Sequence, residues 1–170
     1  VGGGTRWLDA SHECEWFGVS CESSTTEDQS NPYPITNINL TANNLAGFIP
    51  IEMFELTELT GLSMDHNKNI NGQIPEQIAW LEKLTYINLD DNYLQGSIPD
   101  EVYGMTALRA IDLNANRLTG TISSDIGNLE NLMVLQLEDN YFQGTIPQAA
   151  LAKLNKLRKS FAARFSPWFP

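Results

Sequence analysis

The sequence predicts an α/β solenoid of five repeats, 24–25 residues each, with a short parallel sheet on one face and α- or 3₁₀-helical turns on the other. Three observations predict it. First, Asn43, Asn67, Asn92, Asn116 and Asn140 stand 24, 25, 24 and 24 residues apart and head the phrases NNLAGFIP, NKNINGQIP, NYLQGSIP, NRLTGTIS and NYFQGTIP. A repeat of this length marks units that bury their apolar side against one another, none being stable alone. Second, an apolar–polar–apolar stretch precedes each Asn, the period of a short half-buried strand. Third, each phrase carries a Gly that permits a bend, then an Ile that re-enters the core.

The elements follow in order. Residues 1–34 form an N-terminal cap and a polar loop, 35–157 the repeats, and 158–170 a basic, aromatic tail. Cys14 and Cys21 lie close together in the N-terminal segment. With no C-x-x-C and no nearby His pair, a local disulfide is preferred to a metal site, and it implies an oxidising compartment. Glu22–Pro34 is polar and lacks the repeat pattern, as a loop does.

The strand columns are Ile35, Leu59, Leu84, Leu108, Leu132; then Ile38, Leu62, Ile87, Ile111, Leu135; then Leu40, Met64, Leu89, Leu113, Leu137. Stacked, they give strands about 4.8 Å apart. Beyond each strand Leu45, Ile70, Leu94, Leu118 and Phe142 pack inward, and Ile49, Ile74, Ile98, Ile122 and Ile146 return to the core. Apolar residues three apart, such as Ile78 and Leu81, suit one helical turn on the far side. The repeated Asn carries donor and acceptor on one side chain, which suits a ladder that satisfies inward-pointing backbone groups.

The pattern L-x-x-L-x-L-x-x-N-x-L-x-G-x-I-P resembles the plant-type leucine-rich repeat. Trp7 and the run Cys14-Glu15-Trp16-Phe17-Gly18-Val19-Ser20-Cys21 resemble that class's cysteine-paired N-terminal cap. The resemblance implies kinship with receptor-kinase ectodomains, receptor-like proteins and inhibitors of secreted polysaccharide-degrading enzymes. It also implies that ligands commonly bind the exposed face of the sheet. Three departures stand out: one extra residue in Asn67-Lys68-Asn69-Ile70, Ser123 in place of Pro, and Leu154 arriving one place late. No second cysteine pair follows the repeats, and the chain opens on Val1 without a methionine, as a mature or trimmed fragment would.

Charge narrows the function. The net charge of −11 argues against nucleic acid as the main partner. It is unevenly placed: residues 1–152 carry −16 and residues 153–170 carry +5. No apolar run is long enough to span a membrane. His12 and His66 are the only histidines, and no nucleophile motif is present, so no enzyme, metal or cofactor is expected.

The predicted recognition surface is the outer sheet face: Asn39, Ser63, Asn88, Asp112, Gln136; then Thr41, Asp65, Asp90, Asn114, Glu138; then Ala42, His66, Asp91, Ala115, Asp139. Arg109 is its counter-charge and Tyr86 its main aromatic. By analogy with the family, a basic peptide or basic protein patch fits this face; solubilising residues on a parallel sheet account for it too. Five strands of five residues offer roughly 300 Å², against ~800 Å² per partner in a standard interface. A stable partner must therefore use flanks or ends as well.

Three lesser features complete the picture. The column Phe48, Gln73, Ser97, Thr121, Thr145 holds a Ser–Thr–Thr run of the kind proposed to order ice or bind glycans, and small β-compatible side chains on an irregular second sheet explain it as well. Asn39-Leu40-Thr41 is the sole glycosylation sequon. In the C-terminal segment, Leu151, Leu154, Leu157, Phe161 and Phe165 fall at helical spacing among Lys153, Lys156, Arg158, Lys159 and Arg164, with Trp168 beyond. That stripe closes the core as a cap, docks on an anionic membrane or acidic partner, or begins a sixth repeat. The function expected is a non-catalytic protein-binding module in a secreted, ectodomain or lumenal setting; the alternative is an accessory subunit of a larger or membrane-associated complex, held by its basic C-terminal helix.

Overall fold

A computed structural model describes residues 13–15, 17–22 and 34–161. Trp7, His12, Trp16, Arg164, Phe165, Trp168 and the polar stretch 23–33 lie outside the described residues. The strands are β1 (Val19–Cys21), β2 (Ile35–Asn39), β3 (Ala46–Gly47), β4 (Gly61–Ser63), β5 (Asn69–Gln73), β6 (Tyr86–Asn88), β7 (Tyr93–Gly96), β8 (Ala110–Asp112), β9 (Arg117–Leu118), β10 (Val134–Gln136) and β11 (Lys159–Phe161). A seven-stranded sheet runs β1-β2-β4-β6-β8-β10-β11, and a four-stranded one runs β3-β5-β7-β9. Only β1 is antiparallel in the large sheet; it pairs with β2 and is tied by the Cys14–Cys21 disulfide, whose Cα atoms are 5.5 Å apart.

Register confirms the columns. Ile38, Leu62, Ile87, Ile111 and Leu135 follow one another across the sheet, and all are buried. Opposite the sheet, 3₁₀ turns cover Ile51–Glu55, Glu76–Trp80, Asp100–Gly104 and Ser124–Asn128. The residue before each is extended, a conformation Pro50, Pro75 and Pro99 favour. Ser123 replaces proline by another device: its Oγ accepts from Asp125 N at 3.1 Å, capping the turn.

The C-terminal helical stripe needs correction. The helix α1 covers only Gln148–Leu151, turns follow, and β11 pairs parallel with β10. Leu154 N bonds to Leu151 O and Leu157 N to Leu154 O, as Leu81 does to Ile78 and Leu84 to Leu81. A spacing of three, three is thus what every 3₁₀ turn of this solenoid carries, and here it leads into a further strand instead of continuing as an α-helical stripe. As far as Phe161 the segment is the start of a sixth repeat, its strand β11 on the repeat sheet, and not a basic helix.

The Asn ladder is present. Asn116 Nδ2 donates to Leu89 O, Leu113 O and Asn114 O at 2.8, 3.3 and 2.9 Å, and its Oδ1 accepts from Leu94 N at 3.0 Å. Asn67 and Asn140 are bonded likewise. Asn92 breaks the rule: its Nδ2 donates, but its buried Oδ1 has no partner. The amide it would take belongs to the turn with the extra residue, where Ile70 N closes onto Asn67 O at 2.8 Å. The insertion satisfies its own turn and orphans the next rung.

Candidate functional site

The outward columns occupy two kinds of backbone. Asn39, Ser63, Asn88, Asp112 and Gln136 end the strands. Ala42, His66, Asp91, Ala115 and Asp139 all have φ between 48 and 57°, so the third column is a left-handed corner rather than strand. Asn and Asp tolerate this conformation, but Ala at two of five positions hid it from sequence reasoning.

The polar side chains bond along and across rungs. Asn39 Oδ1 accepts from Thr41 N, Asn88 Oδ1 from Asp90 N, and Asp112 Oδ1 from Asn114 N. These local bonds turn the chain at the end of the strand. Between rungs, Gln136 Nε2 donates to Asp112 Oδ2 at 2.8 Å and Glu138 N to Asn114 Oδ1 at 2.7 Å.

Two carboxylates one repeat apart differ sharply. Asp65 is buried and accepts from Thr41 Oγ1 at 2.7 Å, Ser63 Oγ at 2.6 Å and His66 Nδ1 at 2.8 Å. Burial pushes its carboxyl up, but these hydrogen bonds together outweigh it and hold Asp65 below the ordinary carboxylate value. His66 is correspondingly raised, chiefly by its bond to Asp65. Asp90 is raised instead, by burial first and then by the charge of Asp112, with Asp91 adding and His66 opposing. Among the described residues no side chain donates to Asp90.

Ser63, Asp65 and His66 sit together without forming a nucleophilic relay, because hydroxyl and imidazole both use the carboxylate. Tyr86 stands proud, 40% exposed, because its sheet neighbours are Gly61 and Ala110. Arg109 precedes β8 and makes no salt bridge among the described residues, whereas Asp91 pairs with Lys68 at 3.4 Å. The structure therefore groups Asn88, Asp90, Asp112, Asn114, Gln136 and Glu138 on adjacent rungs, with His66 and Asp91 at the corner.

Elsewhere, the Ser–Thr–Thr column has a packing role: a Cβ on Gly120 would come 3.1 Å from Ser97 Cβ, and one on Gly72 2.4 Å from Phe48 Cδ1. Phe48, Gln73, Ser97 and Thr121 each cover the glycine of the next repeat. Lys153, Lys156 and Arg158 are exposed, with Lys156 Nζ 2.6 Å from Asn131 Oδ1, and Lys159 lies in β11. Sequence reasoning missed a stack on the flank, where the Arg117 guanidinium lies 4.2 Å from the Tyr93 ring centroid. Reading position 93 down the repeats, as Asn44, Asn69, Tyr93, Arg117, Tyr141, would have found it.

A coiled stack of such rungs closed by a cysteine pair is a leucine-rich-repeat architecture. The Leucine Rich Repeat family model matches residues 83–105 and 107–129. A chain of the BIR3–SERK2 complex from Arabidopsis thaliana is 32% identical, with a TM-score of 0.75 over 92% of this chain and 82% of that one. The plant peptide hormone receptor RGFR1, solved in complex with RGF2, is 33% identical with a TM-score of 0.72, over 85% of this chain and 20% of that one. The receptor-like kinase TMK4 of Arabidopsis thaliana is 34% identical over 86 residues, 51% of this chain and 8% of the kinase. The chain belongs to the plant-type leucine-rich-repeat family, with an N-terminal cysteine cap. It matches only a small part of its curated relatives' length.

Proposed function

We propose that the chain is a non-catalytic protein-interaction module, working outside the cell or in an oxidising lumen, that recognises a basic peptide or protein patch. Asp90, Asp112, Glu138, Asn88, Asn114 and Gln136 form the recognition face, with Tyr86 as apolar anchor and flanking surfaces completing the contact. One observation carries the reading: Asp90 and Asp112 stand on adjacent rungs of the sheet and no side chain among the described residues donates to Asp90, so a cation there relieves repulsion, in keeping with the raised Asp90 carboxyl. Asp65, already saturated by three donors, has a supporting role. The setting is supported by the disulfide, and the type of partner by similarity to a chain of the BIR3–SERK2 complex and to the peptide hormone receptor RGFR1 solved in complex with RGF2.

The test is equilibrium binding of a lysine-rich peptide to the intact chain, at low and physiological salt, beside Asp90→Lys/Asp112→Lys. Salt-sensitive binding that the charge reversal abolishes supports the reading. Binding indifferent to that reversal but lost in Lys153→Glu/Arg158→Glu, with an acidic protein or anionic vesicle as probe, supports attachment through the basic end instead.

A further inference from the structure

The triplet Asp-Asn-Tyr occurs twice, as Asp91-Asn92-Tyr93 and Asp139-Asn140-Tyr141, at equivalent positions two repeats apart. In both, the Asn is buried in the ladder and the Asp takes the left-handed corner, so both project their flanking side chains alike. The first triplet is occupied from within the chain. Arg117 lies 4.2 Å over the Tyr93 ring, and Lys68 pairs with Asp91 at 3.4 Å. The second has neither contact among the described residues: Tyr141 is 58% exposed, and Asp139 is exposed. Glu138, immediately before it, is half-buried and makes no salt bridge among the described residues.

From this internal precedent we infer that Tyr141 is a docking point for an arginine side chain of the basic partner, the guanidinium stacking on the Tyr141 ring as Arg117 does on Tyr93, with Asp139 supplying negative charge beside it as Asp91 does. The inference rests on the acidic-face reading and names the residue type that face selects. Arginine fits better than lysine because a planar guanidinium can stack and still present its forked donors edgewise. The site is a neighbour of Glu138, so it extends the sheet face along one flank and adds to the area that face offers.

The experiment compares three short lysine-rich peptides, identical except for a central arginine, lysine or citrulline, titrated against the intact chain and its variants. The arginine peptide is expected to bind about three- to tenfold more tightly than the lysine one. Citrulline, which keeps the plane and loses the charge, is expected to be weakest. Tyr141→Ala should abolish the preference, Tyr141→Phe preserve it, and Tyr93→Ala leave it unchanged. Equal affinity for arginine and lysine, or a preference that survives Tyr141→Ala, overturns the inference while Asp90-dependent binding keeps the acidic-face reading. Absence of binding by all three peptides overturns both.

Discussion

The rungs at Asn116 and Asn92 share a sequence pattern and differ in one atom. At Asn116 both ends of the carboxamide are used, the oxygen by Leu94 N. At Asn92 the nitrogen donates as usual and the oxygen is buried without a partner, because the preceding turn is one residue too long. The contrast teaches that the ladder belongs to pairs of repeats: whether a given Asn is satisfied is decided by the turn before it.

The largest effect expected from that contrast is on Asn116. Asn116→Leu should cost about 1–3 kcal/mol, chiefly through the Leu94 amide left unsatisfied, since Leu89 O and Leu113 O keep the Nδ2 groups of Asn92 and Asn140. Asn92→Leu should cost less, since the oxygen it loses does no work; equal losses in denaturant titrations would show the orphan to be satisfied in solution. Next, deleting Asn69 restores the common turn length and should stabilise the chain by about 1 kcal/mol. A lower melting temperature for that deletion would mean the longer turn is held by contacts worth more than the lost rung. Ser123→Ala removes the one side-chain cap among the described far-side turns and should cost about 1 kcal/mol, while Ser123→Pro, the residue found in the other repeats, should be tolerated.

Smallest, and different in kind, is the response of the two carboxylates to pH. The folded value of Asp65 is lowered, so its stabilisation is full above the ordinary carboxylate range and is lost as pH falls through the folded value. Asp90 is raised, so its charge is a cost at neutral pH that is relieved as pH falls through its folded value. Asp90→Asn should therefore raise neutral-pH stability, and Asp65→Asn should lower it and flatten the acid limb of the stability curve. Chemical denaturation across the carboxylate range, with both variants in parallel, reads the two signs directly.

Much of this was legible in the sequence, because a solenoid writes its inward columns at a fixed period. The core from Ile38 to Leu135, the Asn ladder and the far-side turns follow from residues that recur every 24 or 25 places, and the cysteine cap from one local pair, Cys14 and Cys21. Legibility failed where one spacing serves two structures. Leu151, Leu154 and Leu157 suit an α-helical stripe as well as a 3₁₀ turn leading into another strand, and the parallel pairing to β10 decides between them. It failed again where side chains respond to neighbours from other repeats. Asp65 and Asp90 share a column, and only the donors on Thr41, Ser63 and His66 make one a saturated structural group and the other a strained charge.

The reach of the ladder bonds has a further consequence, for the order of assembly. Nδ2 of Asn67, Asn116 and Asn140 each grips a carbonyl 27 residues upstream, so no repeat can close its polar accounts until its predecessor is in place. Such a chain folds by accretion from a seed of two neighbouring rungs, and each added rung inherits a finished template. Asn92 also reaches back, to Met64 O, but its oxygen takes no amide in return, and this half-made link marks the seam at which accretion is weakest, dividing the solenoid into an upstream and a downstream block. Amide exchange should find that seam first, with protection falling around Asn67–Ile70 before it falls at the rungs downstream.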